Sequence, residues 1–306
     1  MNVFNQALSW VLPVIPKSIV RKVSERYIAG ATLDDAMRTV QSLNAKGAMA
    51  TTDVLGEFIK SLDEARPNTA ECCEVLRRLH KDSLQGNLSI KLTSLGLALD
   101  ADACEKNVRE ILVTARENGN LFVRIDMENS LYTTQTIDLY RALRREFANV
   151  GVVLQGYLRR TKSDVDSLLA EGVVDRVATN VRLCKGIYVE REEIAFQGRK
   201  EIQDNYLTCL ESLIAAHAYI GIATHDDVLI EGAKRLLQQY QVKREDFEFQ
   251  MLLGVRENVR DALIREGFRL RVYVPFGHDW YGYSMRRLKE NPKMAGYIAK
   301  ALFTGK

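Results

Sequence analysis

Residues 121–157 read LFVRIDMENSLYTTQTIDLYRALRREFANVGVVLQGY and contain the pattern that decides the fold. Two short apolar runs, Leu121–Glu128 and Val150–Tyr157, flank the segment Thr133–Phe147, where apolar residues recur at i, i+3, i+4 and i+7. The short runs are typical of buried strands, and the longer spacing is typical of an amphipathic helix. Strand, helix and strand in this order indicate two parallel strands joined by a right-handed crossover.

The same alternation continues in both directions along the 306-residue chain. Further short apolar runs occur at Ala48–Gly56, Asn87–Gly96, Val177–Gly186, Ile220–His225, Phe247–Gly254 and Arg269–Gly277. Helical spacing recurs between them, for example over Ala101–Asn118 and Arg256–Glu266. Eight strand–helix units predict an α/β fold closed into a (β/α)₈ TIM-type barrel, a fold that commonly takes about 250 residues. We expect residues 46–306 to form this barrel and residues 1–45 to form an N-terminal helical arm or cap.

An open, doubly wound sheet is the alternative fold. Such a sheet normally has a glycine-rich phosphate turn after its first strand. Neither G-x-G-x-x-G nor G-x-x-x-x-G-K-[ST] occurs in this sequence, which favours the barrel.

Composition excludes several function classes. The net charge of +3, without a concentrated basic face or tail, argues against a nucleic-acid partner. The five cysteines form no C-x-x-C pair and are interpreted as reduced thiols of a cytoplasmic protein. The four histidines show no zinc-binding spacing, so we expect no metal.

The N-terminal stretch Val3–Val20 is apolar but contains Pro13 and Pro16. It lacks a preceding basic region and a cleavage site, which argues against a signal peptide or a membrane span. We favour a helix packed on the outside of the barrel. The alternative is an amphipathic segment that touches the inner surface of a bacterial membrane.

Polar residues gather at the carboxyl ends of the predicted strands, which is where barrels place their function. They are Lys91, Asp126, Glu128, Gln155, Arg182, Lys185, Thr224, His225, Asp226, Gln250 and Tyr273. Each alone has a structural explanation, such as a helix cap for Asp126 or a core histidine for His225. Burying so many polar groups at one rim would be costly without partners, so together they predict a polar ligand.

A second informative stretch follows the eighth strand. In a helix, Tyr283, Arg286, Arg287 and Glu290 would share overlapping parts of one surface. Two adjacent guanidinium groups repel each other unless an anion lies between them, and their donors suit a planar carboxylate. The alternative is a solvated basic helix face. The position directly after a strand favours a site for a substrate carboxylate.

Seven segments together resemble the proline dehydrogenase family, in its short monofunctional bacterial form. They are RIDMENS (124–130), LQGYLRRT (154–161), VRLCKGIYVE (181–190), ATHD (223–226), FEFQMLLG (247–254), RVYVPFG (271–277) and Tyr283-x-x-Arg286-Arg287-x-x-Glu290-Asn291. They follow the family's order, and the resemblance extends over roughly residues 48–292. The resemblance implies an FAD-dependent enzyme that oxidises L-proline to Δ¹-pyrroline-5-carboxylate, the first step of proline catabolism. It also implies hydride transfer from C5 of proline to N5 of the flavin and a quinone as electron acceptor.

The resemblance also implies roles for individual residues. The substrate carboxylate would be bound by Lys91, Arg286 and Arg287, with Glu290 orienting the arginine pair and Asp126 pairing with the lysine. The walls around the proline ring would be Tyr188, Leu252, Tyr273 and Tyr283. The flavin contacts would be Gln155, Arg182, Cys184, Lys185, Gly186, Thr224, His225, Gln250 and Glu290. Cys184 and Ile187 depart from the family's usual valine and alanine, so the pocket volume there is expected to differ.

Two alternatives belong to other classes. A Schiff-base lyase would use Lys91 or Lys185 as its nucleophile, because some barrels place a reactive lysine at a strand end. A binding or scaffolding protein derived from a barrel enzyme would have lost at least one of the charged residues. The joint retention of six charged residues therefore argues against it: Lys91, Asp126, Arg182, Arg286, Arg287 and Glu290.

Overall fold

The computed structural model describes residues 25–56, 58–281 and 283–284. The strands are β1 (Met49–Val54), β2 (Gly86–Ile90), β3 (Val123–Ile125), β4 (Val150–Gln155), β5 (Asn180–Cys184), β6 (Tyr219–Ala223), β7 (Phe247–Leu252) and β8 (Leu270–Phe276). The helices in these residues are α1 (Leu33–Ala45), α2 (Leu62–Lys81), α3 (Ala101–Glu117), α4 (Thr133–Arg144), α5 (Thr161–Asp175), α6 (Arg199–Ala215), α7 (Asp227–Gln239) and α8 (Glu257–Arg265).

The eight strands form a closed barrel in sequence order, and every strand pair is parallel. The barrel closes where β1 pairs with β8, with Met49 beside Arg271 and Val54 beside Phe276. Each strand from β1 to β7 is followed by a helix that returns the chain to the start of the next strand. The predicted (β/α)₈ barrel is confirmed.

Several predicted strands extend too far into the loops that follow them. The run Asn87–Gly96 contains only the strand β2, because Leu92–Leu95 form a 3₁₀ turn that ends at Gly96 with φ 109°. Leu92 and Leu95 are fully buried beneath this loop. Their apolar character therefore reflects packing and not strand pairing, which sequence periodicity alone does not distinguish.

Helix α1 lies within the predicted N-terminal arm. Thr32 caps its start, since the Thr32 hydroxyl accepts from the Asp35 amide at 3.2 Å and the Asp35 carboxylate accepts from the Thr32 amide at 3.1 Å. Its buried face, which includes Ala36 and Val40, joins the same apolar core as the barrel and packs against β1 and β8. The division into an arm and a barrel stays a prediction.

The apolar core lies between the strands and the surrounding helices. Side chains alternate along each strand, so every second residue points into the barrel instead. These inward positions are polar over much of the barrel's length: Thr51 donates to Asn87, and Arg124 donates to the Val152 and Asn180 carbonyls at 3.0 Å. No helix among the described residues has the length and apolar content needed to cross a membrane. The stretch Val3–Val20 lies outside the described residues.

Candidate active site

A cavity of about 600 Å³ opens at the carboxyl ends of the strands. This volume lies in the range of roughly 300–1,000 Å³ that is usual for small-molecule and cofactor sites. It is lined by these predicted site residues: Lys91, Asp126, Gln155, Arg182, Cys184, Lys185, Gly186, Tyr188, Thr224, His225, Gln250, Leu252, Tyr273 and Tyr283. The remaining three, Arg286, Arg287 and Glu290, lie outside the described residues.

A buried ion pair lies at the ends of β1 and β2. The Lys91 ammonium donates to the Asp53 carboxylate at 2.6 Å and lies 3.9 Å from Asp126 and 3.4 Å from the Tyr273 hydroxyl. The side chain of Lys91 is 10% exposed and that of Asp53 is 1% exposed. The Lys91 nitrogen is engaged by the Asp53 carboxylate, whereas a Schiff-base lysine must direct an unprotonated amine at a carbonyl. The geometry therefore disfavours the Schiff-base lyase at this residue.

Asp126 joins three strands at one carboxylate. Its Oδ1 accepts from Ser89 at 2.7 Å and from Arg182 Nη1 at 2.7 Å, while its Oδ2 accepts from the Tyr273 hydroxyl at 2.6 Å. The ion pair between Asp126 and Arg182 is largely shielded from water, with side chains 13% and 7% exposed. The alternative role for Asp126 as a helix cap is wrong, because its oxygens are used within the barrel.

Arg182 has one donor group left over. Its Nε donates to Gln250, and its Nη1 donates to Asp126 and, at 3.2 Å, to Ser89. Among the described residues, its buried Nη2 has no hydrogen-bond partner, and neither has the buried Oε1 oxygen of Gln155 on the neighbouring strand. Buried polar atoms without partners are rare in proteins, so these two groups mark positions where a ligand can bind.

Tyr273 lies among these charges. Burial raises the pKa of its hydroxyl well above the usual range, and the Asp126 and Asp53 carboxylates raise it further. The hydroxyl therefore stays neutral and donates. The Tyr273 ring also lies 5.3 Å from the Arg182 guanidinium, a distance at which the ring face attracts the cation.

Asp226 and His225 make the hydrogen bonds that connect the segment after β6 to its neighbours, on one side of the cavity. Asp226 lies 3.4 Å from Lys185 and accepts from Gln203 at 3.1 Å. Although burial raises the pKa of Asp226, these partners outweigh it and lower the pKa below its ordinary value. The His225 Nε2 accepts from the Leu252 amide at 2.9 Å. This hydrogen bond links the loop that follows β6 to the end of β7.

Gly186 follows β5 in a conformation that suits glycine. Its φ is +102°, and a Cβ at this position would lie 2.1 Å from the Tyr157 ring. Because Gly186 has no side chain, the backbone can pass close to the Tyr157 ring and form part of the cavity wall. Just before it, burial raises the pKa of the Cys184 thiol to about 11, so Cys184 is a neutral wall residue at physiological pH.

Sequence reasoning missed Asp53 and Ser89. Both point into the barrel, and both bind the predicted charged residues, Asp53 through Lys91 and Ser89 through Asp126. The available signal was a carboxylate inside the apolar run Ala48–Gly56, since a buried strand carries an acid only where a partner meets it.

Residues 36–300 match the model of the proline dehydrogenase family. The chain belongs to this family. It is 37% identical over 282 residues to proline dehydrogenase 2 of Bacillus subtilis, covering 92% of this chain and 91% of that protein. It is 33% identical over 288 residues to proline dehydrogenase of Deinococcus radiodurans, again covering 92% and 91%. The short monofunctional type predicted from the sequence fits these proline dehydrogenases.

A solved structure supports the same family and fold. Proline utilization A from Bdellovibrio bacteriovorus, inactivated by N-propargylglycine, superimposes with a TM-score of 0.83 at 25% identity. The match covers 89% of this chain and 33% of that one, so this chain spans about a third of that larger protein.

Proposed function

We propose that this protein is an FAD-dependent proline dehydrogenase that oxidises L-proline to Δ¹-pyrroline-5-carboxylate and passes the electrons to a quinone. Its family membership supports the reaction class. The observation that carries the proposal is the buried cluster of Lys91, Asp126 and Arg182 in the cavity wall, where one guanidinium nitrogen has no partner among residues 25–56, 58–281 and 283–284.

The residues around the cavity fit a flavin. Arg182 Nη2 is a buried cationic donor and Gln155 Oε1 is a buried acceptor; neither has a partner in the part of the chain that the structure describes, and both residues line the cavity. A flavin ring offers acceptors and a donor of matching kinds, and a cation favours the electron-rich reduced ring. Lys185, Gly186, Thr224, His225 and Gln250 would hold the rest of the cofactor along β5, β6 and β7.

When bound, the flavin supplies the acceptor for a hydride that leaves C5 of proline. The proline nitrogen stabilises the positive charge that develops at C5, so the amine must have lost its extra proton before the step. The protein's part is to hold the substrate in the correct orientation and to exclude water. Tyr273, Tyr188, Leu252 and Tyr283 would form the walls around the ring.

The substrate carboxylate would be bound by Lys91 together with Arg286 and Arg287. Lys91 is already paired with Asp53, so the cluster of Lys91, Asp53, Asp126 and Arg182 is close to electrically neutral. A bound carboxylate therefore needs additional cations, which the arginine pair would supply, with Glu290 orienting it.

The first experiment is an absorption spectrum of the purified protein before and after L-proline is added without oxygen. A flavin spectrum that bleaches with L-proline is the expected result, and release of FAD rather than FMN on denaturation identifies the cofactor. Trans-4-hydroxy-L-proline is the matched control substrate and should bleach the flavin far more slowly. A protein that binds no flavin contradicts the proposal.

The carboxylate assignment has its own test. Arg286→Met and Arg287→Met should each raise the KM for proline by roughly 10- to 100-fold, the effect of losing a hydrogen bond to a charged group, while flavin remains bound. Near-normal proline affinity in both variants would show that the carboxylate binds elsewhere.

The acceptor is tested by comparing reoxidation of the proline-reduced enzyme by a soluble quinone analogue with reoxidation by oxygen. Reoxidation by the quinone analogue should be faster than reoxidation by oxygen. Deletion of residues 1–20 tests whether the apolar N-terminal stretch docks the protein on a membrane, since sedimentation with lipid vesicles should then decrease. Unchanged sedimentation would eliminate that stretch as the docking element.

A further inference from the structure

Below the cavity, the barrel interior contains a buried carboxylate that no step above uses. Glu248, on β7, is 1% exposed and does not line the cavity. Its two oxygens accept from Arg271 at 2.6 and 3.0 Å, and one of them also accepts from the Tyr219 hydroxyl at 2.9 Å. Burial alone raises the pKa of Glu248, but Arg271 and the hydrogen bonds lower it to about 2, so the group is an anion.

Gln250 links this anion to the cavity. Glu248 and Gln250 lie two residues apart on the same face of β7. The Gln250 amide nitrogen donates to Glu248 at 2.6 Å, and its amide oxygen accepts from Arg182 Nε. A carboxylate only accepts and a guanidinium only donates, so the amide of Gln250 has a single orientation that satisfies both neighbours.

Gly221 on β6 makes room for this link. A Cβ at this position would lie 2.5 Å from the Gln250 amide nitrogen and 2.9 Å from its amide carbon. Any other residue at position 221 would therefore push the amide away from its place between Glu248 and Arg182.

We infer that Glu248 is a positioning residue: through Gln250 it fixes the plane of the Arg182 guanidinium and leaves Nη2 as the donor presented to the ligand. Gln250 holds Nε and Asp126 holds Nη1, so the guanidinium is fixed at two of its three nitrogens. This inference rests on the proposed function, because the ligand at Nη2 is the proposed flavin.

The test is Glu248→Gln in the flavin-loaded enzyme. A glutamine here can turn an amide group instead of an oxygen towards Gln250, so the Gln250 amide nitrogen loses its obligatory anionic acceptor and Gln250 is held only by Arg182. We expect flavin to remain bound, the KM for proline to change less than about threefold, and kcat to fall roughly tenfold, as for a lost hydrogen bond to a charged group. The visible spectrum of the bound flavin should shift as well. A variant that loses stability but keeps kcat and the spectrum would reduce Glu248 to a structural role.

Tyr219→Phe is the matched control. It removes one hydrogen bond from the same carboxylate but leaves Arg271 and Gln250 in place. Its unfolding midpoint should fall, since a hydrogen bond to a buried charge is lost. Its kcat should stay within about twofold of the unchanged protein and its flavin spectrum should not shift, because the bond between Glu248 and Gln250 is kept.

A second line of variants keeps the test valid if Glu248→Gln fails to fold. Gly221→Ala displaces the Gln250 amide and leaves the pair of Glu248 and Arg271 intact, so it should reproduce the same loss of kcat and the same spectral shift. In a Gln250→Leu background, Glu248→Gln should cause no further loss of kcat, because the effect passes through Gln250. If the two substitutions instead lower kcat by independent factors that multiply in the double variant, the inference is wrong. Failure of the unmodified protein to reduce flavin with proline would instead refute the proposed function.

Discussion

Replacing Asp126 by asparagine should destabilise the protein far more than loss of an ordinary hydrogen bond. The Asp126 and Arg182 charges lie 2.7 Å apart with side chains 13% and 7% exposed. At an effective dielectric constant of 20, the attraction at that distance is about 6 kcal/mol, from which the desolvation of both groups must be subtracted. Removing one partner of a buried pair typically costs about 3–5 kcal/mol. Because Arg182 keeps its bond to Gln250, we expect a loss of about 2–4 kcal/mol.

Urea unfolding followed by circular dichroism measures this loss, and the thermal midpoint should fall by roughly 3–6 °C for a chain of this size. Ser89→Ala is the matched control, since it removes one hydrogen bond from the same carboxylate oxygen but keeps the ion pair, and should cost about 1.5 kcal/mol. Combining Asp126→Asn with Tyr273→Phe should give a coupling of more than about 0.5 kcal/mol, because the two residues share a hydrogen bond. If Asp126→Asn stays within about 0.5 kcal/mol of the unchanged protein, the shared carboxylate is not what holds these strand ends together.

Gly186, Cys184 and Glu248 each give a further prediction. Gly186→Ala should weaken flavin retention and lower stability by more than about 1 kcal/mol, because φ is +102° and the new methyl group would overlap the Tyr157 ring; a normal flavin content after dialysis would contradict this. Cys184 should resist iodoacetamide at pH 8 in the native protein and react in urea, since its thiol has a pKa of about 11; rapid native labelling found by mass spectrometry would refute the assignment. For Glu248, the folded pKa of about 2 lies below the ordinary 4.5, so its contribution to stability is present above pH 4.5 and is lost as the pH falls towards 2. The difference in unfolding free energy between the unchanged protein and Glu248→Gln should therefore narrow over that interval, and a constant difference would show that Glu248 is not the titrating group.

The barrel could be predicted from the sequence because apolar runs and helical spacing alternate along the chain. The residues at which the strands end could not be predicted in the same way. Leu92 and Leu95 resemble strand residues, yet they are buried by a 3₁₀ turn beneath a loop. Burial makes a position apolar whether the backbone pairs with a neighbouring strand or turns, so the sequence pattern alone does not locate the boundary.

The cavity-lining residues could be predicted only after the barrel was assumed, because closure is what brings Lys91, Arg182 and Tyr273 together. Their partners were harder to predict. Asp53 is a single acid near the end of a run interpreted as an apolar strand, and Gly221 is significant only through its distance from Gln250. These roles depend on which side chains meet across the barrel interior, a relation that no local pattern encodes.

The anionic and cationic groups beneath the cavity have a consequence for engineering the protein. A buried ion pair can often be replaced by hydrocarbon side chains of similar volume at no loss, or with a gain of about 1–4 kcal/mol. A barrel floor in which Glu248, Arg271 and Tyr219 became leucine, methionine and phenylalanine is therefore a reasonable route to a more heat-resistant protein. The same exchange would release the Gln250 amide. At these three residues, substitutions that raise the thermal stability should therefore lower kcat, and substitutions that keep kcat should not raise the thermal stability.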